Sequence, residues 1–238
     1  MKIVIIRHAD PDYENNTLTE RGFLEAKVLG KYYNSSMFDE VYSSPLPRAL
    51  LTAEAVIKNE KPINVVDWLI EFYHPVITED GKKQTNWDFK PSYLSKHPEI
   101  LSKDYLEAYL PFNDVHLKEE YKKVVNGLDD VLNRNGYKRN GMFYDVARAN
   151  TKTIVFFCHF GMMSVLLSHL LNIPYTTLAQ FSVCVPTGVT TLVSEEREKG
   201  IAQFRMMTFG DISHLKRENI EPSFHGRFCE TFDSDDRH

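Results

Sequence analysis

The chain has 238 residues, of which 42% are hydrophobic and 26% are charged, and its formal charge at pH 7 is −5. This composition is typical of a globular protein with a sizeable core, and the length allows one large α/β domain or a core with a smaller cap. The negative charge argues against general affinity for nucleic acids, and no apolar run approaches the ~20 residues of a membrane span.

The three cysteines, Cys158, Cys184 and Cys229, are widely spaced and odd in number. This pattern favours reduced thiols over a disulfide framework or a zinc site. The four aliphatic residues before Arg7 are too few for the hydrophobic region of a signal peptide. We therefore expect a cytoplasmic protein that has neither a nucleic acid nor a membrane as partner.

The first predicted element is a strand at residues 3–6, where four β-branched aliphatic residues follow one another without a break. Such a run indicates a strand that is buried on both faces, as in a parallel sheet covered by helices. Thr17 and Glu20 have the spacing of a capping box and predict the start of a helix that continues to about Tyr33.

FDEVYSS, residues 38–44, predicts a second short strand. Ser44 followed by Pro45 predicts the N-cap and first residue of the next helix, whose apolar residues recur at helical spacing as far as residue 57. INVVDW, residues 63–68, predicts a third strand.

The segment from about residue 72 to residue 114 is rich in aromatic residues, prolines and charges, and it predicts an inserted helical and aromatic cap. Most of its aromatic side chains are expected to form a small core of their own, and a cap at the sheet edge would exclude water and select the leaving group. A helix is predicted at residues 119–132 and a loop at residues 134–141.

TKTIVFFCHFGMM, residues 151–163, contains the strongest buried strand of the chain, and an apolar helix follows it directly. Two further strands are predicted as a hairpin or as edge strands near residues 187–209. Together these elements predict a three-layer α/β/α fold with a mostly parallel central sheet. We expect one domain over residues 1–222 and a polar tail over residues 223–238.

Two of the buried strands end in a histidine, namely His8 and His159. Because parallel sheets bind ligands at the carboxyl ends of their strands, these side chains are expected to meet at one edge. Arg7 precedes His8, and Arg48 falls in the first turn of the helix after the second strand. Four potential cations without counter-carboxylates favour a bound phosphate, and neighbouring guanidinium groups favour a neutral, nucleophilic imidazole.

The sequence resembles the histidine phosphatase superfamily, branch 1, which includes the cofactor-dependent phosphoglycerate mutases. The matching motifs are RHAD at residues 7–10, LTERG at 18–22, SSPLPRA at 43–49 followed by TA at 52–53, His159 with Gly161, and GDISHL at 210–215. The last of these is similar to a segment of the bacterial broad-specificity phosphatases. The similarity covers about residues 2–71 and 151–215, and it implies a phosphoglycerate mutase-like fold.

The resemblance implies that His8 is the phosphorylated nucleophile and that Arg7, Arg48 and His159 form the phosphate pocket. The family's proton donor is commonly a glutamate shortly after the third strand, which makes Glu71 the candidate general acid. The phosphate-binding asparagine of the family has no clear equivalent. Asn15 is the nearest candidate, and we place it in that role.

Alternative residues remain for two of these roles. Asp10 is the second candidate for the general acid, and Asn16 is the second candidate for the phosphate-binding asparagine. The sequence also departs from the family pattern, because Ala9 and Phe160 stand where glycines are usual. Both changes are expected to bring bulk close to the pocket and to bear on the choice of substrate and on the rate.

The leading hypothesis is metal-independent and cofactor-independent hydrolysis of a small phosphate monoester through a phosphohistidine. A phosphoglycerate mutase-type phosphoryl transfer would use the same core residues, and a non-catalytic module that binds phosphate or phosphoproteins would keep the pocket without turnover. A metal site built on His8, His159 and Asp10 is disfavoured, because it lacks a known ligand spacing and two arginines would repel a cation. The substrate and the oligomeric state do not follow from the sequence.

Overall fold

A computed structural model describes residues 1–225 and 231–232 of the chain. The strands are β1 (Lys2–Arg7), β2 (Pro11–Asp12), β3 (Thr17–Leu18), β4 (Glu40–Ser43), β5 (Asn64–Val65), β6 (Val76–Ile77), β7 (Lys83–Gln84), β8 (Tyr137–Asn140), β9 (Phe143–Val146), β10 (Thr153–Cys158), β11 (Val189–Glu198) and β12 (Ile201–Asp211). The α-helices are α1 (Glu20–Tyr32), α2 (Pro47–Ile57), α3 (Pro91–Leu94), α4 (Tyr105–Ala108), α5 (Val115–Arg134), α6 (Phe160–Leu171), α7 (Tyr175–Phe181) and α8 (Ser213–Arg217).

The central sheet has the strand order β5-β4-β10-β1-β11-β12-β9-β8. The first four strands in this order pair in parallel, and β11 and β12 form the predicted hairpin, which pairs antiparallel with β1. The carboxyl ends of β1, β4 and β10 therefore lie side by side at one edge of the sheet.

Both faces of the central strands are buried, as the unbroken apolar runs predict. Ile3 and Ile5 of β1 pack in one hydrophobic cluster with residues of α5 and α6, whereas Val4 and Ile6 pack in a second cluster with residues of α1 and α2. Alternate residues of a strand point to opposite faces, so each face carries its own helical layer. The predicted three-layer α/β/α fold is confirmed.

The inserted segment does not form a core of its own, so that part of the sequence interpretation is wrong. Its buried side chains, among them Phe72, Phe89 and Phe112, belong to the same hydrophobic cluster as Phe156 of the sheet and Tyr175 of α7. The segment contains β6, β7, α3, α4 and two short 3-10 helices. Tyr175 contacts the rings of both Phe72 and Tyr105, with centroids 5.5 and 5.0 Å apart.

Two predicted helix starts are wrong by a few residues. The first helix is capped by Thr19, whose hydroxyl accepts a hydrogen bond from the backbone N–H of Gly22 at 2.9 Å, because Thr17 pairs with Asp12 in the β2–β3 ladder. The second helix begins at Pro47, and Leu46 is its N-cap. Ser44 is thus not a helix cap, and its side chain is available to the site.

The predicted loop at residues 134–141 is also different, because Tyr137–Asn140 forms β8 and pairs antiparallel with β9. The preceding helix, α5, is longer than expected at both ends. No helix within the described ranges combines the length and the apolar character that a membrane span needs.

The chain past α8 contacts the domain at least as far as residue 225, since Ser223 is buried and bonded to Glu25. Cys158 and Cys184 are both buried free thiols, whereas Cys229 lies outside the described residues. The division of the chain at residue 223 and the cytoplasmic location stay predictions.

Candidate active site

Four residues that the sequence analysis singled out meet at the carboxyl edge of the sheet. Arg7 and His8 lie at the end of β1, His159 follows β10, and Arg48 is in the first turn of α2. The ring centroids of His8 and His159 are 5.0 Å apart, and Nε of Arg48 lies 3.3 Å from Nε2 of His8. Both histidines are buried.

His8 is held in one orientation by backbone contacts. Its Nδ1 lies 2.7 Å from the carbonyl oxygen of Ala9, and its own backbone N–H donates to Cys158 on β10. Because a carbonyl only accepts, we assign the ring hydrogen to Nδ1, which leaves the lone pair on Nε2. Burial, followed by the positive charge of Arg7, lowers the pKa of His8 well below its ordinary value. The ring is therefore neutral and nucleophilic at neutral pH.

His159 is oriented by Ser44. The Ser44 hydroxyl accepts from the backbone N–H of Leu46 at 3.3 Å and lies 2.8 Å from Nε2 of His159. The Ser44 hydroxyl has no other acceptor for its hydrogen among the described residues, so we assign that hydrogen to Nε2 and the ring hydrogen to Nδ1, which no described residue contacts by a hydrogen bond. Burial, with a contribution from the positive charges of Arg48 and Arg7, lowers the pKa of His159 well below its usual range. This arrangement leaves a neutral N–H donor for an oxygen of a ligand.

One nitrogen of the Arg7 guanidinium already has a hydrogen-bond partner in the protein. Nη1 donates to the carbonyl of Cys184 at 2.6 Å, whereas the buried Nε has no partner among the described residues. Its Cζ lies 5.9 Å from the ring centroid of Phe160, so the aromatic ring at this unusual position packs against the arginine. Arg7 therefore retains a donor for an anion.

Glu71 faces the same cavity as the two arginines. Its Oε1 accepts from the backbone N–H groups of Phe72 at 2.8 Å and Met162 at 2.9 Å, which fixes the carboxyl group. Burial raises the pKa of Glu71, although those two bonds and the arginines oppose the change. With both bonds on Oε1, the other oxygen is left to carry a proton.

Gly161 makes room for this carboxyl group. A Cβ atom at this position would lie 2.8 Å from Oε1 of Glu71 and 2.8 Å from Nε1 of Trp87. We expect Gly161→Ala to displace Glu71 and to lower kcat for alkyl phosphates at least about tenfold, since a positioning error of about 1 Å can cost far more than that. Steady-state kinetics with a folding control by circular dichroism would measure it, and an unchanged kcat would show that Glu71 tolerates displacement.

Asp10 has a different environment from Glu71. Its Oδ2 accepts from the Thr19 hydroxyl at 2.6 Å, and its Oδ1 accepts from the hydroxyl of Ser223 and from Nδ1 of His225. Burial opposes ionisation, but the hydrogen bonds from Ser223, Thr19 and His225 outweigh it and lower the pKa of Asp10. Asp10 is an ionised acceptor at neutral pH and holds no proton to donate.

Thr52 connects the loop that follows His8 to α2. Its hydroxyl accepts from the backbone N–H of Ala9 at 3.0 Å and donates to the carbonyl of Arg48 at 2.7 Å. We expect Thr52→Val to leave the buried Ala9 N–H unpaired and to lower the free energy of unfolding by about 1–3 kcal/mol. Urea denaturation would measure this loss, with Thr151→Val as the exposed control. Equal stability of the two variants would contradict the role assigned to Thr52.

Asn15 is not brought into the cluster. It is exposed on the turn between β2 and β3, where its side-chain amide donates to Asp12 at 2.8 Å. The neighbouring Asn16 has a left-handed backbone conformation, with φ at 52°. The role of Asn15 in phosphate binding stays a prediction.

The arginines and Glu71 open onto a cavity of about 540 Å³, which is large enough for a small metabolite. Its lining residues are Arg7, Tyr13, Arg48, Glu71, Tyr73, Thr85, Trp87, Asp88, Phe160, Ala179, Gln180, Ser182, Val183 and His225. Four of them come from the inserted segment, as expected for a cap. Among the described residues, no group of three or more histidines, cysteines or acids is arranged to hold a metal ion.

The sequence profile of the histidine phosphatase superfamily (branch 1) matches residues 3–206 of the chain. The chain belongs to this superfamily. The match extends over the inserted segment and over every strand that supplies a residue to the site. The resemblance in the short motifs is therefore part of a relationship along most of the length.

A curated relative of this histidine phosphatase family member is phosphoserine phosphatase 1 from Hydrogenobacter thermophilus, which is 33% identical over 85 residues. This alignment covers 31% of the chain and 40% of the relative, so the chain matches less than half of that protein's length.

Solved structures of low sequence identity share the fold. Phosphoserine phosphatase from Entamoeba histolytica, crystallised with phosphoserine, is 22% identical and has a TM-score of 0.59, and the match covers 90% of this chain and 98% of that one. The α-ribazole phosphatase from Shigella flexneri is 18% identical with a TM-score of 0.53, and the match covers 87% and 95%.

The roles of several site residues carry no clear signal in the sequence, although Ser44 and Thr52 stand in motifs of the family resemblance. Ser44 was assigned to a helix cap, and its role beside His159 depends on where α2 begins. Tyr13 and His225 line the cavity, but each lies in a polar segment without periodicity. Thr52 is four residues after Arg48, a spacing that would place its hydroxyl near the Arg48 carbonyl on a helix.

Proposed function

We propose that the protein hydrolyses small phosphate monoesters through a phosphohistidine on His8. The observation that carries this proposal is the pairing of two neutral, oriented imidazoles with two arginines and a carboxyl group of raised pKa. Phosphoryl transfer depends mainly on positioning and on the stabilisation of charge, and these groups supply both.

In the first step, the Nε2 lone pair of His8 attacks phosphorus on the side opposite to the ester oxygen. Arg48 must first move its Nε from Nε2 to a phosphoryl oxygen, while Nδ1–H of His159 and the free donors of Arg7 bind the other oxygens. As the P–O ester bond breaks, Glu71 gives its proton to the leaving oxygen, and the product is an alcohol. The P–N bond leaves a phosphorylated imidazole with its Nδ1–H on Ala9.

In the second step, a water molecule attacks the phosphohistidine. Glu71, now a carboxylate, accepts a proton from this water while the new P–O bond forms. The P–N bond breaks, its electron pair returns to Nε2, and inorganic phosphate leaves. Both His8 and Glu71 end in their starting protonation states, so the cycle is balanced without a metal or a cofactor.

The volume and lining of the cavity support a small phosphorylated metabolite as the substrate. The names of related proteins point to phosphoserine and to α-ribazole phosphate as compounds of the appropriate kind. Trp87, Tyr73 and Thr85 of the inserted segment face the cavity, where they would contact the leaving group.

The test is a rapid acid-free quench of the wild-type protein with radiolabelled substrate, in buffer with EDTA. We expect steady release of phosphate and a labelled protein that loses its label in acid and keeps it in alkali, as a phosphohistidine does. Transfer of label to 3-phosphoglycerate in the presence of a bisphosphoglycerate primer would indicate a mutase instead. Phosphate binding without a labelled protein would indicate a non-catalytic module, and loss of turnover in EDTA would contradict metal independence.

A further inference from the structure

The chain after α8 returns to the candidate active site and is fixed there. Ser223 has only 3% of its surface exposed, and its backbone N–H donates to Oε1 of Glu25 at 3.0 Å. The Ser223 hydroxyl donates to Oδ1 of Asp10, and Arg21 of α1 donates to the carbonyl of Glu221. Glu25 is itself buried, and its Oε2 accepts from the Asp10 backbone N–H at 3.1 Å. Glu25 thus bonds both Asp10, in the loop that follows His8, and Ser223, so that this loop and residues 221–223 are held together.

His225 is held by the same partners. Its Nδ1 lies 2.5 Å from Oδ1 of Asp10, its backbone N–H donates to the Ser223 hydroxyl at 3.2 Å, and its carbonyl accepts from Nη1 of Arg7 at 3.4 Å. Since a carboxylate only accepts hydrogen bonds, Nδ1 carries a hydrogen. Nε2 has no hydrogen-bond partner among the described residues, so it is the nitrogen left for a ligand.

The imidazole of His225 lies at the rim of the catalytic cavity. It lines the cavity together with Arg7 and Arg48, and 36% of its side chain is exposed. Its ring centroid is 6.3 Å from that of Tyr13, and Tyr13 in turn lies 5.3 Å below Cζ of Arg48. After burial and the charge of Arg7, the charge of His225 is among the smaller effects that lower the pKa of His8. The imidazole therefore faces the same cavity as the two arginines.

We propose that His225, as an imidazolium, binds a second anionic group of the substrate, such as a carboxylate. This inference rests on the proposed function, in which His8, His159, Arg7 and Arg48 surround the reacting phosphoryl group. His8 and His159 are buried, whereas His225 is partly exposed in the lining of the same cavity, so it is placed to meet a different group of the substrate. The expected substrates are phosphate monoesters with another negative charge close to the phosphate.

Asp10 is a positioning residue for His225 in this proposal. Its carboxylate accepts a hydrogen bond from Nδ1 of His225 and fixes the orientation of the ring, so that Nε2 points away from Asp10. The same carboxylate oxygen also binds the Ser223 hydroxyl, so the position of His225 depends on the whole segment after α8.

The experiment compares the binding of 3-phosphoglycerate and glycerol 3-phosphate, which differ only in a carboxylate against a hydroxymethyl group. Calorimetry at about pH 6, where an ordinary histidine is mostly charged, is done on the full chain with His8→Ala, so that no ligand is consumed. We expect 3-phosphoglycerate to bind about tenfold more tightly, in line with a charge-assisted hydrogen bond. Adding His225→Gln should reduce this ratio to about twofold or less, whereas the exposed His116→Gln should leave it unchanged.

A double-mutant comparison tests the part of Asp10. Asp10→Asn alone should lower the ratio, and it should cause no further loss once His225 is glutamine, because Asp10 acts through His225. The inference would be overturned if the His8→Ala protein bound the two ligands equally or bound neither. It would also be overturned if His225→Gln lowered the affinities for both ligands by the same factor. Turnover is not involved in these measurements, so failure here is distinct from failure to form a phosphoenzyme.

Discussion

Replacement of His8 by alanine is expected to lower kcat by at least about 10⁴-fold, the scale seen when a nucleophile is removed from an enzyme. The reason is that Nε2 of His8 is the atom to which the phosphoryl group is transferred in the proposed mechanism. His159 does not replace it, because its Nε2 is bonded to Ser44. The variant should also form no acid-labile phosphoenzyme.

The fold should survive this substitution. His8 is buried beside Arg7 and Arg48, and its removal takes away one polar ring, its bond to Ala9 and the bond that it accepts from Arg48. We expect the free energy of unfolding to change by no more than about 2 kcal/mol, which urea denaturation would measure. His116→Ala, at an exposed position of α5, is the matched control. Wild-type turnover by the His8→Ala variant would reject His8 as the nucleophile.

Substitution of Glu71 by glutamine has the second largest expected effect, and it depends on the leaving group. The amide oxygen keeps the bonds from Phe72 and Met162, so the side chain stays in place, but it has no acidic proton. We expect kcat for alkyl phosphates to fall about 10²- to 10⁴-fold. The p-nitrophenolate group leaves without protonation, so hydrolysis of p-nitrophenyl phosphate should fall less than about tenfold.

The pH dependence supplies a second measurement on the same variant. Since burial raises the pKa of Glu71, the protonated acid persists to a higher pH than an ordinary glutamic acid would allow. The rate with alkyl phosphates should fall as the pH rises through this pKa, and this decline should be missing in Glu71→Gln.

The control for the acid is Asp10→Asn, because Asp10 was the other candidate in the sequence. Its pKa is lowered by the bonds it accepts, so we expect no selective loss with poor leaving groups. If Glu71→Gln slows both substrates equally and Asp10→Asn slows only the alkyl phosphate, the acid role belongs to Asp10.

The sequence predicted the fold class and the meeting of four residues, because both depend on strong local patterns. Uninterrupted aliphatic strands can only be buried between two layers, and parallel strands end at one edge. Arg7, His8 and His159 follow directly from these strands. Arg48 follows from the helix after β4, and the error of two residues in the helix start did not move it from the first turn.

The parts that the sequence did not predict depend on contacts between distant segments. His225 meets Asp10 across 215 positions, and no periodicity marks the polar segment that carries it. Thr17 has the spacing of a capping box with Glu20, but it pairs with Asp12 in the β2–β3 ladder, and Thr19 caps the helix instead. The pattern at Thr17 therefore predicted the wrong N-cap. The assignment of Glu71 came from the family resemblance, and its raised pKa became apparent only from its burial against α6.

The shared core of the inserted segment limits how far the protein can be shortened. Excision of residues 72–114 would remove the ring contacts that Phe72, Tyr105 and Phe112 make with Tyr175 of α7, together with their contribution to the cluster beneath Phe156. The truncated chain would expose a large apolar surface to water and would be prone to aggregate. In the intact protein, the inserted segment and the sheet should unfold together in a single calorimetric transition. Engineering of this enzyme therefore has to proceed by point substitution and not by removal of the inserted segment.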